Sequence, residues 1–281
     1  MSRLRIIILT LFAMLAFAGN SLLCRDALRH SHIDPASFTG IRLLAGALTL
    51  YVVAHLGRAG RSKGSGNWLS AFALFTYAAG FSYAYLSLSA ATGALLLFGA
   101  VQATMIGWGI LNGERLQRLQ LAGLVLALGG LIGLVLPGLS APPLLGAALM
   151  IAAGVAWAVY SLRGRAGGDP IRVTAGNFRR SVPLAAVLIL IARHDLDCDV
   201  AGFWYAVASG ALTSGIGYAI WYSVLPGLKA STAATIQLSV PVIAAMGGTL
   251  FLGEIVTLRL TLASIAVLGG IALVIMQKQR R

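Results

Sequence analysis

The sequence predicts an all-α membrane protein, with ten transmembrane helices arranged as two inverted five-helix repeats. Three observations carry this prediction. Of 281 residues, 58% are hydrophobic and 10% charged, with a mean hydropathy of +0.87; a soluble domain carries about 25% charged residues and needs them for its surface. The apolar residues form runs of about 20, long enough to cross about 30 Å of hydrocarbon. The second half of the chain also repeats the first at an offset of 140 residues.

Taken in order, spans are expected at 6–23, 35–56, 68–87, 90–111, 119–136, 143–162, 173–192, 202–224, 230–252 and 258–276. The first run resembles a signal peptide in position but lacks a small-residue cleavage site, so it reads as a retained span. Each helix satisfies its own backbone hydrogen bonds, which lipid requires and an open sheet would not provide. The links are short, and none is long or polar enough to be a soluble domain. Residues 1–140 and 141–281 are the two expected repeats.

The net charge of +13 is concentrated in the links, where it orients helices rather than binding nucleic acid. With the N-terminus inside, one set of alternate gaps holds Arg3, Arg5, Arg58, Arg61, Lys63, Arg115, Arg118, Arg163, Arg165, Arg172, Lys229, Lys278, Arg280 and Arg281. The other set holds Arg25, Arg29, Arg193 and Arg259. Both termini are therefore expected in the cytoplasm, and Asp195, Asp197 and Asp199 outside.

The repeat pairs Ala16, Ala18, Ser21, Leu22 and Arg25 with Ala156, Ala158, Ser161, Leu162 and Arg165. It also pairs Thr92, Gly113 and Glu114 with Thr232, Gly253 and Glu254, and Leu128-Gly129-Gly130 with Leu268-Gly269-Gly270. Five spans per half is an odd number, so the halves enter the membrane in opposite directions. Alternating-access carriers are built this way, with substrate held near the midplane.

On Pro241, Leu252-Gly253-Glu254 and Leu268-Gly269-Gly270, echoed by Asn112-Gly113-Glu114 and Leu128-Gly129-Gly130, the chain resembles the EamA repeat of the drug/metabolite transporter superfamily. One departure is Phe17, where a Trp is common. The resemblance implies a ten-helix exporter of small metabolites in the inner (plasma) membrane, often of amino acids. Among these, the YddG-type exporters of aromatic amino acids look nearest.

Candidate site residues follow from what a span can and cannot tolerate. All eight acidic residues lie at span ends or in links, so no carboxylate is placed to exchange a proton for a cationic drug. Glu114 and Glu254 precede helices, where a carboxylate complements the helix N-terminus, and Arg118 and Arg259 are near enough to pair with them. Both glutamates read as structural. Arg42 lies about two turns inside span two: it either snorkels to the interface or faces the cavity and holds a substrate carboxylate.

Asn20, Gln102 and Gln237 are costly to turn toward lipid and are expected to supply uncharged polar contacts inside the bundle. Trp157 and Tyr160, with Tyr77 and Tyr83, offer apolar walls for a bulky side chain. In the repeat, Trp157 aligns with Phe17 and Tyr160 with Asn20. Trp221 is close enough to its span end to be a belt residue. Pro241 interrupts span nine as a kink or gating hinge would.

No enzyme is indicated. The histidines lack metal-ligand spacing, there is no G-x-S-x-G elbow or Walker lysine, and Cys24 and Cys198 form no framework. A multidrug or other metabolite exporter is the alternative reading. A channel would need a continuous polar pore, which no ring of charge suggests. The expected partners are a small-molecule substrate and the lipid bilayer, with no cofactor, metal or nucleic acid; oligomeric state is left open.

Overall fold

A computed structural model describes residues 3–56, 65–113, 116–138, 141–164, 169–225, 228 and 236–279. Glu114 and the basic Arg58–Lys63 link lie outside the described residues. Ten helical spans follow one another: α1 (Arg3–His30), α2 (Pro35–Leu56), α3 (Trp68–Tyr85), α4 (Ala90–Leu111), α5 (Arg118–Val135), α6 (Leu144–Arg163), α7 (Pro170–Ile191), α8, α9 (Ser239–Leu252) and α10 (Leu258–Gln279). Span α8 is one rod in three consecutive pieces: α-helical Val200–Ala208, π-helical Ser209–Ile216 and α-helical Gly217–Val224. Among the described residues there is no strand.

Polar residues at the span ends start and stop these helices. Asn67 accepts the Ser70 N–H ahead of α3, and Asp169 the Ile171 N–H ahead of α7, where Pro170 has no N–H to lose. Asp34 accepts from the Ala36 and Ser37 amides at 2.8 and 2.9 Å and also takes the Asp197 N–H, tying the α1–α2 link to the α7–α8 link. Gly113 and Gly253 follow α4 and α9 with φ of 90° and 62°. Only glycine takes this left-handed turn without penalty, which explains why the Gly of the Gly-Glu pair recurs at offset 140.

The packing follows the repeat. α2 lies against α7 and α5 against α10, each pair joining equivalent helices of the two halves. The α3–α6 contact has its counterpart in α8–α1, and α4–α6 in α9–α1. The Leu-Gly-Gly motif sits where α5 and α10 cross: a Cβ on Gly270 would stand 2.4 Å from the Gly123 carbonyl oxygen. Bare backbone permits that approach, which is how membrane helices gain packing without a hydrophobic driving force.

Six described helices are long and apolar enough to span a membrane: α1, α2, α4, α5, α6 and α10. Their outward faces carry unpartnered leucine, isoleucine and phenylalanine, such as Leu11, Phe12, Leu48 and Leu262, a surface suited to lipid and not to water. The remaining spans are those that sequence periodicity describes least well. α3 is rich in Tyr and Ser, α7 carries three arginines and Pro183, α8 changes pitch midway, and α9 has 14 residues.

One expectation about span limits changes. α1 does not end at Leu23 but continues to His30, because Arg25 and Arg29 in its last turns reach carbonyls of neighbouring segments. Pro241 stands in the first turn of α9 and marks an interruption of span nine: residues 236–237 are helical, and the break falls at Leu238. Proline has no N–H to offer the Gln237 carbonyl, so the regular helix restarts at Ser239.

Candidate functional site

The centre of the bundle encloses a cavity of about 380 Å³, within the range of small-ligand sites. Phe17, Asn20 and Ser21 of α1, Tyr77 and Phe81 of α3, and Gln102 of α4 line it. Trp157 and Ser161 of α6, Thr213, Tyr218 and Trp221 of α8, and Gln237 complete the lining. The cavity runs to the α6–α7 and α8–α9 links, where Gly164, Pro170, Leu225 and Leu228 line it.

At the opposite end the lining stops at Ser21 and Phe81. One helical turn further on, Arg25 and Tyr85 belong to a bonded cluster. Arg25 Nε meets Glu254 Oε1 at 3.2 Å, Arg25 Nη1 donates to the Tyr85 carbonyl at 2.8 Å, and Glu254 Oε2 accepts the Ala90 N–H at 2.8 Å. The carboxylate thus sits on the N-terminus of α4, not α10. Arg259, expected beside Glu254, instead donates to the Gly133 and Leu136 carbonyls at the end of α5. Four terminal carbonyls of a helix lack intrahelical donors, and this arginine serves two of that region.

The apolar walls are rings packed on rings. Trp157 lies 4.8 Å from Tyr77 and 5.2 Å from Tyr218 between centroids, and stacks on Tyr160 at 5.4 Å. Phe17 presents its edge to Tyr218 and Trp221 at 5.8 and 5.9 Å. These separations are those of favourable aromatic pairs. Trp221 is 6% exposed and lines the cavity; it is not a belt residue, because α8 carries its last turn inside the bundle against α1.

The polar contacts converge on Asn20. Its Oδ1 accepts from Ser209 Oγ at 2.7 Å and lies 3.1 Å from Thr213 Oγ1, while its Nδ2 donates to the Tyr77 hydroxyl at 3.3 Å. Ser209 and Thr213 belong to the π-helical piece of α8. A wider turn there brings Ser209, Thr213 and Ser214 toward the bundle centre, a use of π geometry common at functional positions.

Of the residues singled out in the sequence, Asn20, Tyr77, Gln102, Trp157 and Gln237 line this cavity. Tyr160 is buried behind Trp157 as its stacking partner and is not part of the lining. Tyr83 is half-buried in the last turn of α3, near Asp34 and Asp195 and away from the cavity. Tyr218, Thr213 and Trp221, weaker candidates in the sequence than Trp157 or Asn20, also line the cavity. Their alignment with Ala78, Ala73 and Phe81 in the other half gave only Trp221 a visible aromatic counterpart.

Arg42 does not snorkel. It is 1% exposed, with its guanidinium over the Phe81 and Tyr77 rings at 4.9 and 5.3 Å. A Cβ at Gly210 would clash with the Arg42 carbonyl; glycine there lets α2 settle on α8.

Ten spans, paired helices that exchange under the repeat and a central cavity match what the recurring motifs imply. The EamA-like transporter family matches the chain twice, over residues 4–136 and 144–276. The chain belongs to this family. An uncharacterised protein of Pseudomonas aeruginosa is 58% identical over 96% of this chain and 94% of its own length. The uncharacterised transporter YoaV of Bacillus subtilis is 24% identical over 85% of this chain and 86% of its own. The threonine/homoserine exporter RhtA of Salmonella typhimurium is 32% identical over 45% of this chain and 44% of its own. A crystal structure at 19% identity superposes over the whole of both chains with a TM-score of 0.66, a likeness of fold. The protein is therefore a multi-pass membrane transporter of the drug/metabolite transporter superfamily.

Proposed function

We propose that the protein exports small zwitterionic metabolites by alternating access, with amino acids bearing aromatic or bulky apolar side chains as its substrates. The observation that carries this reading is the meeting, in one cavity, of the Trp157–Tyr77–Tyr218 ring wall with the Asn20 amide. A ring wall suits an apolar side chain, and uncharged donors and acceptors suit an amino acid's polar end. No acidic or lysine side chain lines the cavity among the described residues, which argues against a multidrug antiporter of cations. The amino-acid class also agrees with the named activity of the Salmonella relative.

The basic asymmetry of the links orients both termini toward the cytoplasm of a cell whose inner membrane holds the protein. In that orientation the cavity runs to the cytoplasmic links, the side from which an exporter loads. The Arg25–Glu254 cluster closes the outer side.

Counterflow in proteoliposomes tests the reading, using labelled amino acids from glycine to tryptophan. Saturable uptake, accelerated by unlabelled aromatic amino acid inside, is the expected result. Flux that rises linearly with concentration and shows no counterflow indicates a channel; counterflow with no amino acid overturns the substrate class.

A further inference from the structure

One layer behind the cavity wall lies a guanidinium without a counter-charge. Arg42 Nη2 donates to the Tyr77 hydroxyl at 3.1 Å and Nε to Ser214 Oγ at 3.3 Å, while Nη1 is buried with no partner. Among the described residues no carboxylate pairs with it. Burying an unpaired ion is among the costliest arrangements in a protein interior, and the two aromatic faces and two hydroxyls offset only part of that cost. The Arg42 Cα lies about 10 Å along α2 from Pro35, and its side chain is buried.

The Tyr77 hydroxyl carries this charge toward the cavity. Its oxygen accepts from Arg42 Nη2 on one side and from Asn20 Nδ2 on the other. The amide is placed with Oδ1 toward Ser209 and Thr213 and Nδ2 toward Tyr77. Both lone pairs of the phenol oxygen are thus taken by donors, and its own proton is left to donate. No acceptor for that proton is present among the described residues, and Tyr77 lines the cavity. A phenol that accepts from a guanidinium is a stronger donor than an isolated one, since hydrogen bonds in a chain polarise one another.

We infer that the Tyr77 hydroxyl is the receptor for a substrate carboxylate, with Arg42 behind it supplying the positive charge. The inference rests on the cavity's being the substrate site and gives the amino-acid reading its polar anchor. Arg42 is a positioning residue in this arrangement and Tyr77 the contact. The consequence is a specificity rule: the acid form is preferred over its amide or ester, which brings no negative charge to the site.

Binding to purified protein is measured with three probes: phenylalanine, phenylalanine amide and 3-phenylpropanoate, which keeps the carboxylate and lacks the amine. Wild type is expected to bind both acids at least about tenfold more tightly than the amide, the scale of one hydrogen bond to a charged group. Tyr77→Phe keeps the ring wall and is expected to bring acid and amide to within about threefold. Arg42→Gln, which retains a donor but not the charge, is expected to do the same. If it fails to fold, Tyr77→Phe decides alone.

A wild type that binds amide as tightly as acid overturns the receptor, as does a folded Tyr77→Phe protein that keeps the preference; either leaves the amino-acid reading standing. Binding of 3-phenylpropanoate without phenylalanine supports the receptor and overturns that reading. A folded wild type that binds none of the three overturns both.

Discussion

Arg25 Nε and Glu254 Oε1 stand 3.2 Å apart, although 229 residues separate them in the chain. The pair joins the end of α1 in the first half to the α9–α10 link in the second. Glu254 also holds the start of α4, so one carboxylate fastens three segments at the closed end of the cavity. Glu254→Gln is expected to lower stability by about 1–3 kcal/mol, since a buried charged hydrogen bond is lost while Arg25 keeps its carbonyl partners. Thermal melting of the purified protein measures the loss. Turnover per folded molecule should change little; a well-folded Glu254→Gln protein that loses only its pH-driven transport would make this carboxylate a proton carrier instead.

Trp157 touches three tyrosines, each pair worth about 0.5–1.5 kcal/mol beyond the area it buries. Trp157→Ala is expected to weaken transport of bulky amino acids by about tenfold or more, and Trp157→Phe by less. Initial rates in proteoliposomes, normalised to monodisperse protein, give the comparison. Parental rate and affinity in folded Trp157→Ala would place the apolar wall elsewhere.

The adjacent glycines Gly269 and Gly270 are expected to respond oppositely to alanine. A Cβ at Gly270 meets the Gly123 carbonyl at 2.4 Å and the Ala127 nitrogen at 2.7 Å, whereas one at Gly269 meets nothing within 4 Å. Gly270→Ala should cost about 1–3 kcal/mol through overpacking, and Gly269→Ala should be neutral or stabilising through helix propensity. Melting temperatures of the two variants, measured side by side, decide it; equal values would mean that α5 and α10 do not cross here.

Cys198 is exposed in the α7–α8 link and Cys24 is buried, so a native thiol reports the topology. Burial, reinforced by Asp199, Asp34 and Asp197, pushes the Cys198 thiol up from its ordinary value. The reactive thiolate is therefore scarcer at neutral pH than for an unshifted thiol, and labelling should quicken as pH rises. A membrane-impermeant maleimide is expected to label wild type, and not Cys198→Ser, in intact cells. Labelling that requires permeabilised cells reverses the orientation.

Asp199 caps α8 by accepting the Gly202 N–H, and that bond is the main cause holding its carboxyl below the usual carboxylate range. A lowered folded value means the contribution is complete above the unfolded value, about 4, and is lost as pH falls through the folded one. Asp199→Asn, which also caps, should melt like wild type at pH 7 and lose less stability on acidification. A parallel acid decline in both proteins would remove the cap from the account.

Membrane residence, the number of spans and the repeat were legible in the residues, because each is a property of composition or of fixed spacing. Gly113 and Gly253 recur since a left-handed turn admits little else, and Gly130 and Gly270 since backbones meet there. Asn20, Gln102 and Gln237 were legible as inward-facing because lipid penalises an amide wherever it sits in a span. What sequence spacing did not reveal depends on the direction in which a side chain leaves its helix. The π-helical piece of α8 turns Ser209, Thr213 and Ser214 relative to a regular helix, a change of pitch that sequence spacing does not show. Arg42 was compatible with an interface and with a cavity until its contacts with Tyr77 and Ser214 showed its direction. Glu254 and Arg259 are close in sequence yet serve different helices, since a carboxylate or guanidinium answers to the nearest unpaired backbone groups in space. Local chemistry determined which residues belong in the membrane; packing between the two halves decided which of them face the cavity.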